Sequence, residues 1–280
     1  MSRIKEKFSE LKDKKEKALV SYIMTGYPSE NATLSAVRGL VRGGTDIIEL
    51  GFPFSDPIAD GPTIQKASTC SLNNGIKIEK FFKLVKKIRN ETNIPLILMT
   101  YTNILYKQGY QKFIKNAKNA GIDGLILPDM AIEEAKQYLS AAKSQKMDTV
   151  FLVSPNTQKD RLVKIAKVTS GFLYMVAVFG TTGVQTKIHQ YTIDALKSTK
   201  RSVKSIPVGV GFGISNAKDV RKYVSVGADA VIIGSANIKI MENTPISKLE
   251  KEIFSFTKKL KRSEERRVGK ECRSRWSPYH

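Results

Sequence analysis

Cysteine, histidine and tryptophan are scarce in this sequence of 280 residues, which has two cysteines, two histidines and one tryptophan. Cys70 and Cys272 are too few and too far apart for a disulfide framework or a thiolate metal site. His189 and His280 cannot by themselves complete a transition-metal centre. The sequence therefore predicts no metal held by the protein.

Long apolar runs are also missing. None approaches the roughly 18 to 20 residues that a helix needs to span a bilayer. The N-terminal stretch MSRIKEKFSELKDKK lacks the apolar centre of a secretory signal. We therefore expect a cytoplasmic protein without a membrane segment, and its apolar fraction of 41% is enough for a sizeable core.

Basic residues outnumber acidic ones, which gives a net charge of +21. Such a charge suggests nucleic-acid binding, because lysines and arginines release counterions from phosphates. The basic residues, however, are spread over nearly every helical segment, and no aromatic-basic RNA-binding motif occurs. The pattern favours solvated helix faces and a preference for small anions. A non-catalytic basic scaffold or nucleic-acid binder remains an alternative.

Short β-branched apolar runs alternate with amphipathic segments along the chain. Strands are predicted at 18–24, 46–51, 95–101, 124–129, 149–154, 172–178, 207–213 and 230–235. Helices are predicted at 29–42, 78–89, 110–120, 132–144, 159–168 and 216–226. Eight such units predict an α/β fold, a single (β/α)₈ TIM barrel over residues 1–262 with an extra N-terminal helix. An open doubly wound sheet is the structural alternative.

Acidic residues follow the early strands, at the end where barrels place their chemistry. Glu49 ends an apolar strand, so burial should raise its pKa and suit it to proton transfer. The alternative is a buried structural glutamate paired with a lysine. Asp60 precedes Gly61 and Pro62, and the alternative for this residue is a helix N-cap.

Glycine-rich turns follow the late strands, at 179–184, 209–215 and 234–237. Glycine lets backbone N–H groups approach an anion, and a following helix N-terminus adds partial positive charge. Turns after strands seven and eight are frequent phosphate sites in barrels. The pattern predicts a phosphate site, with Ser215 and Ser235 as helix N-caps or ligands; simple turn formation is the alternative.

The predicted strand ends lack a lysine, which argues against a Schiff-base aldolase. No ligand cluster supports a metal-dependent one. The residues thus indicate metal-free acid/base chemistry on a small phosphorylated molecule. Epimerisation, isomerisation and carbon–carbon cleavage all fit this pattern.

Six motifs in order closely resemble the tryptophan synthase α-subunit family: YIMTGYP, ELGFPFSDPIADGP, GLILPD, GTTGV, GVGFGIS and IIGSA. The resemblance covers about residues 4–261. It implies a lyase of tryptophan biosynthesis that cleaves indole-3-glycerol phosphate to indole and glyceraldehyde 3-phosphate by a retro-aldol route. A last helix is predicted to end near residue 261. Residues 263–280, which follow it, do not resemble the family, and we expect them to form an unstructured tail, consistent with foreign sequence.

The resemblance also implies residue roles. It implies catalytic roles for Glu49, Asp60 and Tyr174, and loop closure through Thr182. The positions that match phosphate binding are Gly183, Phe212, Gly213, Gly234 and Ser235. Those that match the indole pocket are Tyr22, Ile64, Thr100, Leu127 and Ile232, for which ordinary barrel core is the alternative.

A partner is implied as well. The resemblance implies an α₂β₂ heterotetramer in which the β subunit holds pyridoxal phosphate and receives indole through a tunnel, so this chain should carry no cofactor. Pro53, Asp56 and Pro57 would form an exposed, stiff contact with that subunit. A sugar-phosphate epimerase type of barrel enzyme is the other functional alternative.

Overall fold

Eight parallel strands close into one barrel in sequence order, in a computed structural model that describes residues 1–176, 190–203, 205–211 and 213–265. The predicted barrel is confirmed. Its strands are β1 Ala18–Met24, β2 Ile47–Gly51, β3 Leu96–Met99, β4 Gly124–Ile126, β5 Asp148–Val153, β6 Leu173–Val176, β7 Val208–Gly211 and β8 Ala230–Ile233. Several strands end before their apolar runs do, because the chain leaves the hydrogen-bonded ladder while its side chains are still buried.

Helices surround the barrel. In the described part of the chain they are α1 Arg3–Asp13, α2 Glu30–Gly43, α3 Pro62–Asn73, α4 Ile78–Glu91, α5 Thr102–Gln108, α6 Tyr110–Ala120, α7 Lys136–Ser144, α8 Lys159–Val168, α9 Gln190–Ser202, α10 Ala217–Ser225, α11 Ser235–Asn243 and α12 Ile246–Glu265. The helix predicted at 132–144 is divided into a 3₁₀ turn at Ile132–Glu134 and α7. Helices α3, α5, α9 and α11 are additional to the predicted segments. No described helix is long and apolar enough to cross a membrane.

The extra N-terminal helix, α1, closes the N-terminal end of the barrel. Ile4 and Leu11 of this helix are buried in the same cluster as inward residues of the strands, such as Val20 and Ile97. Phe8 packs on Phe172, with 5.8 Å between ring centroids. Because α1 blocks this end, the opposite, C-terminal end is the open one.

Aspartates at the N-terminal end of the barrel have structural partners. Three of them accept a hydrogen bond from a backbone N–H group at the start of the preceding strand. The bonds are from Leu19 to Asp46 at 2.8 Å, from Leu96 to Asp123 at 3.0 Å and from Val208 to Asp229 at 2.9 Å. Each also contacts a cationic side chain, as Asp123 does with Arg89 at 2.7 Å. These acids are therefore committed to holding successive strands together.

Helix α12 returns to pack against α2. A Cβ atom at Gly39 would lie 2.6 Å from the backbone oxygen of Glu250, so only glycine permits this close approach. The helix continues to Glu265, beyond the predicted domain end at residue 262. Ser263, which we assigned to the tail, is buried, and its hydroxyl donates to the Leu260 carbonyl at 2.6 Å. The remainder of the predicted tail, 266–280, lies outside the described residues.

Candidate active site

Glu49 lies on β2 at the open end of the barrel, in register with Tyr22 of β1 and Ile97 of β3. It is two residues beyond Ile47, a member of the inward cluster, and therefore shares that residue's inward face. The side chain is fully buried, and neither carboxyl oxygen has a hydrogen-bond partner among the described residues. Burial raises the pKa of Glu49 to about 8. The alternative of a structural glutamate paired with a lysine is therefore wrong as far as the described residues show.

Asp60 is buried but has a polar partner. The N-cap of α3 is Gly61 and Pro62 is its first residue, so the carboxylate of Asp60 does not cap the helix. Its Oδ2 instead accepts a hydrogen bond from the Tyr101 hydroxyl at 3.1 Å. Burial raises the pKa of Asp60 to about 6, and the Tyr101 hydrogen bond opposes that rise. Asp60 is consequently available as a carboxylate near neutral pH.

Two tyrosines complete this group of side chains. A side chain at Gly51 would collide with the Tyr22 hydroxyl, and one at Gly211 would collide with the Tyr174 hydroxyl. The two glycines thus make room for the hydroxyls. Burial raises the pKa of both tyrosines well above its usual value, and the negative charges of Glu49 and Asp60 add to the effect. Both hydroxyls therefore remain protonated, in the electrostatic environment of both carboxyls.

The residues predicted to line an indole pocket are apolar or buried. Leu127 belongs to the same core cluster as Tyr22, and Ile64 of α3 packs at its margin. Ile232 belongs with Tyr174 to the inward cluster. Thr100 is buried, and its hydroxyl has no partner among the described residues. The burial fits either a pocket wall or ordinary core.

The N-terminus of α11 faces the same end of the barrel. Gly234 is its N-cap, Ser235 is its exposed first residue, and no described side chain caps the helix. A Cβ atom at Gly234 would lie 3.6 Å from Tyr22, which places this N-terminus beside the tyrosine. Uncapped first-turn N–H groups and the helix dipole together favour a bound anion. Ser235 is therefore not the N-cap that we considered from sequence.

The second predicted glycine turn has a different arrangement. Gly213 is exposed with φ +72°, and a Cβ atom there would meet nothing within 4 Å. Asn216, rather than Ser215, caps α10, and the Ser215 N–H group donates to Asp219 Oδ2 at 3.1 Å. The expectation that Ser215 is an N-cap is wrong, because Asn216 takes that position. The alternative of Ser215 as a phosphate ligand stays a prediction. Gly183 and Phe212, with Thr182, lie outside the described residues.

A family model described as tryptophan synthase alpha chain matches residues 8–267. The chain belongs to the tryptophan synthase alpha chain family. A family member from Methanosarcina acetivorans is 45% identical over 258 residues, which cover 90% of this chain and 93% of that protein. A member from Microcystis aeruginosa is 40% identical over 94% of this chain and 99% of its own length. The resemblance inferred from the six motifs is confirmed.

Solved structures agree with the family assignment. A structure on the mutual activation of the tryptophan synthase α₂β₂ complex from Pyrococcus furiosus contains a chain that is 36% identical. It aligns with a TM-score of 0.81 over 88% of this chain and 98% of that chain. Members of the tryptophan synthase alpha chain family are lyases that cleave indole-3-glycerol phosphate in tryptophan biosynthesis. The predicted class of enzyme and its reaction are confirmed at the level of the family.

The segment between β2 and α3, residues 52–61, surrounds the Asp60 side of the site in this alpha chain. Asp56 is exposed and Pro57 is half-buried, but Pro53, which we expected on the surface, is buried. Pro53 lies between half-buried Phe52 and Phe54, and the N–H and carbonyl of Phe54 both form hydrogen bonds with the Ser68 hydroxyl at 2.9 Å. In the isolated alpha chain Pro53 therefore belongs to the interior of the segment.

Two residues with functional potential were missed from the sequence. Ile58 is 82% exposed, an unusual position for a large apolar side chain. Tyr101, which the sequence marks only as part of a strand end, contacts Asp60 across 41 residues. Acidic and proline residues flank Ile58, so no apolar pattern marks it in the sequence. No local pattern reveals the Tyr101 contact, because it depends on the closure of the barrel.

The described acidic side chains of this alpha chain do not form a metal site. Within the described ranges no group of three or more His, Cys, Asp or Glu side chains is placed to hold a metal ion. The acids at the N-terminal end of the barrel are bonded to backbone N–H groups and cations instead. The metal-free reaction expected from the sequence stays a prediction.

Proposed function

We propose that Glu49 and Asp60 are the acid/base pair with which this chain cleaves indole-3-glycerol phosphate. The observation that carries the proposal is the Glu49 carboxyl group, buried without a hydrogen-bond partner among the described residues, together with a second carboxyl that has one and that acts on the same two tyrosines. Their pKa values, about 8 and about 6, leave Glu49 protonated and Asp60 ionised at pH 7. Two carboxyls with pKa values pushed apart are suited to opposite roles in one reaction.

The proposed reaction begins with the ionised Asp60 accepting the indole N–H. Glu49 then protonates the ring carbon that bears the glycerol phosphate chain, and Asp60 stabilises the positive charge that develops on the ring nitrogen. The Glu49 carboxylate next removes the proton of the hydroxyl nearest the ring. The O–H electrons form a carbonyl, the carbon–carbon bond breaks, and its electrons return to the ring. Indole and glyceraldehyde 3-phosphate result, and Glu49 is protonated again.

The other residues hold the substrate around this pair. We assign Tyr174 to the reacting centre beside Glu49, where its neutral hydroxyl can donate. We assign the pocket wall to Tyr22, Ile64, Thr100, Leu127 and Ile232. Gly213, Gly234 and Ser235 are assigned to the phosphate group, with Gly183 and Phe212 from the resemblance alone. The short separation between Tyr22 and the N-terminus of α11 supports a substrate that bridges these two sites.

The test is indole release by the purified protein supplied with indole-3-glycerol phosphate. We expect indole and glyceraldehyde 3-phosphate in equal amounts, and faster release when a β subunit is added. Epimerisation of a ketopentose phosphate without indole release would favour the alternative barrel enzyme. Salt-dependent DNA retention with neither activity would favour the basic scaffold.

The phosphate assignment predicts a loss of binding in Ser235→Asp. An aspartate in the first turn is compatible with the positive end of the α11 dipole, so the fold should be at least as stable as before. The same negative charge should repel the substrate phosphate and weaken glycerol phosphate binding by about tenfold or more. Calorimetry on both proteins measures the affinity, with Ser235→Asn as the uncharged control. Equal affinity in all three proteins would place the phosphate elsewhere.

We also propose that the segment 52–61 docks a β subunit, as part of an α₂β₂ assembly like that described for the P. furiosus protein. Exposed Ile58 and Asp56 and the half-buried Pro57 support this proposal. Pyridoxal phosphate belongs to the partner in this scheme, and no residue of this chain is assigned to it. The cytoplasmic location expected from the sequence also remains a prediction.

Ile58→Asp tests the docking surface. The substitution removes an exposed apolar side chain and should leave basal indole release within about twofold, whereas activation by the β subunit should need about tenfold more partner. Indole release is measured against β-subunit concentration for both chains. Ile246→Asp serves as the control, because Ile246 is 49% exposed at the start of α12, outside the segment 52–61. An unchanged activation curve for Ile58→Asp, or the same loss in the control, would reject the docking role.

A further inference from the structure

Tyr101 joins the end of β3 to the segment 52–61 through three contacts. Its hydroxyl donates a hydrogen bond to Asp60 Oδ2 at 3.1 Å and accepts one from the Ala59 N–H at 3.0 Å. Its ring stacks on Phe54, with 4.9 Å between centroids and 23° between planes. Tyr101 therefore contacts both the beginning and the end of this segment, and it is itself only 4% exposed.

The titratable groups around Asp60 differ in what they offer its carboxylate. Among the described residues, Tyr22 of β1 and Tyr174 of β6 share its environment, because the charges of both Asp60 and Glu49 of β2 raise the pKa values of these tyrosines. None of these three groups forms a described hydrogen bond with the Asp60 carboxylate, whereas Tyr101 does. A neutral donor that bonds a carboxylate stabilises its charged form and fixes its direction.

We propose that Tyr101 is a positioning residue which fixes Asp60 over the barrel and keeps it the ionised member of the Glu49–Asp60 pair. The proposal rests on the proposed function of that pair. Glu49 is the more deeply buried carboxyl and has no partner of this kind among the described residues, so the Tyr101 bond adds to the preference for the proton on Glu49 and the charge on Asp60. The Ala59 N–H bond orients the phenol oxygen so that its own proton is directed at Asp60. This hydroxyl thereby widens the difference between the two carboxyls that unequal burial creates.

Burial leaves Tyr101 able to perform this role over the whole working range of pH. Desolvation and the charge of Asp60 raise the pKa of Tyr101 far above its usual value, so the hydroxyl stays a donor. The same hydrogen bond opposes the rise that burial imposes on the pKa of Asp60. Loss of the hydroxyl should thus raise the pKa of Asp60 further and bring it toward that of Glu49.

Tyr101→Phe tests the proposal, because phenylalanine keeps the stacking on Phe54 and removes only the hydroxyl. The acid limb of kcat/KM for indole release should move upward by roughly one pH unit. The loss should therefore be about fivefold at pH 6 and less than twofold at pH 7.5. Tyr138→Phe is the matched control. Tyr138 is also buried, and the substitution removes its 3.2 Å hydrogen bond to the Leu125 carbonyl, away from the site. The acid limb of kcat/KM for Tyr138→Phe should not move.

Two further measurements distinguish an effect on the charge of Asp60 from a merely structural role of Tyr101. Replacing Tyr101 by 3-fluorotyrosine strengthens the donor without removing it and should move the acid limb downward, which a merely structural role would not do. Direct ¹³C titration of the Asp60 carboxyl should show the same upward movement in Tyr101→Phe even if the protein releases no indole. Absence of indole release would thus reject the proposed function alone. A loss that is equal at every pH, or an unchanged Asp60 titration, would overturn the role of Tyr101.

Discussion

Glu49→Gln should lower the turnover of indole-3-glycerol phosphate by at least about a hundredfold. Glutamine has nearly the shape of the protonated glutamate, so it should fit among the buried neighbours of Glu49. Its amide, however, can neither deliver a proton to the ring carbon nor take one from the glycerol hydroxyl. The substitution should leave binding of glycerol phosphate nearly unchanged, because the proposed phosphate site at Gly234 and Ser235 contains no part of Glu49.

Single-turnover indole release and calorimetry with glycerol phosphate separate these two effects. Glu79→Gln, an exposed change of the same kind on α4, is the control and should behave like the unsubstituted chain. Indole release at a near-normal rate from a folded Glu49→Gln protein would remove Glu49 from the reaction. A parallel loss of glycerol phosphate binding would show instead that the variant disturbs the site as a whole.

The second large effect concerns stability. Burial raises the pKa of Glu49 from 4.5 to about 8, so the folded protein binds a proton that the unfolded chain has released. The resulting stabilisation is fully present below the unfolded pKa and is lost as pH rises through about 8. A glutamine at this position cannot ionise, so the variant escapes this loss. The free energy of unfolding of Glu49→Gln should therefore gain about 2 to 3 kcal/mol relative to the unsubstituted protein between pH 6 and pH 9.

Urea unfolding of both proteins at the two pH values measures this difference, and all other titrating groups cancel in the comparison. Exposed Glu79→Gln should show no such pH dependence. A constant difference between Glu49→Gln and the unsubstituted protein from pH 6 to pH 9 would mean that Glu49 is not buried uncharged. The carboxyl that makes the reaction possible is therefore also the one whose ionisation destabilises the fold.

The barrel could be predicted from the sequence because its signal is repeated eight times. Apolar runs bounded by glycine, proline or aspartate mark each strand, and errors of a few residues at their ends do not alter the topology. Strand ends are harder, because burial continues where the ladder stops, as at Thr100 and Leu127. The last helix was predicted to end near residue 261, but it reaches Glu265. Its final residues are mostly charged, so the sequence gives no sign that Ser263 is buried.

The site was only partly predictable for a related reason. Glu49 is recognisable locally, as an acid at the end of an apolar strand. The choice between an N-cap and a free carboxylate at Asp60 depended on which residue begins α3, and Gly61 takes the cap. The Tyr101 contact and the burial of Pro53 arise only when β2, β3 and the segment between β2 and α3 are assembled. Distances across the barrel have no counterpart in local sequence.

The pH dependence of kcat/KM for indole release tests most directly the claim that Glu49 carries the proton and Asp60 the charge. A bell-shaped profile is expected, with an acid limb near pH 6 from Asp60 and an alkaline limb near pH 8 from Glu49. Asp60→Asn should remove the acid limb from the residual activity, and Glu49→Gln should remove the alkaline one. A profile that stays flat from pH 5.5 to pH 9, or limbs that persist unchanged in both variants, would contradict the account.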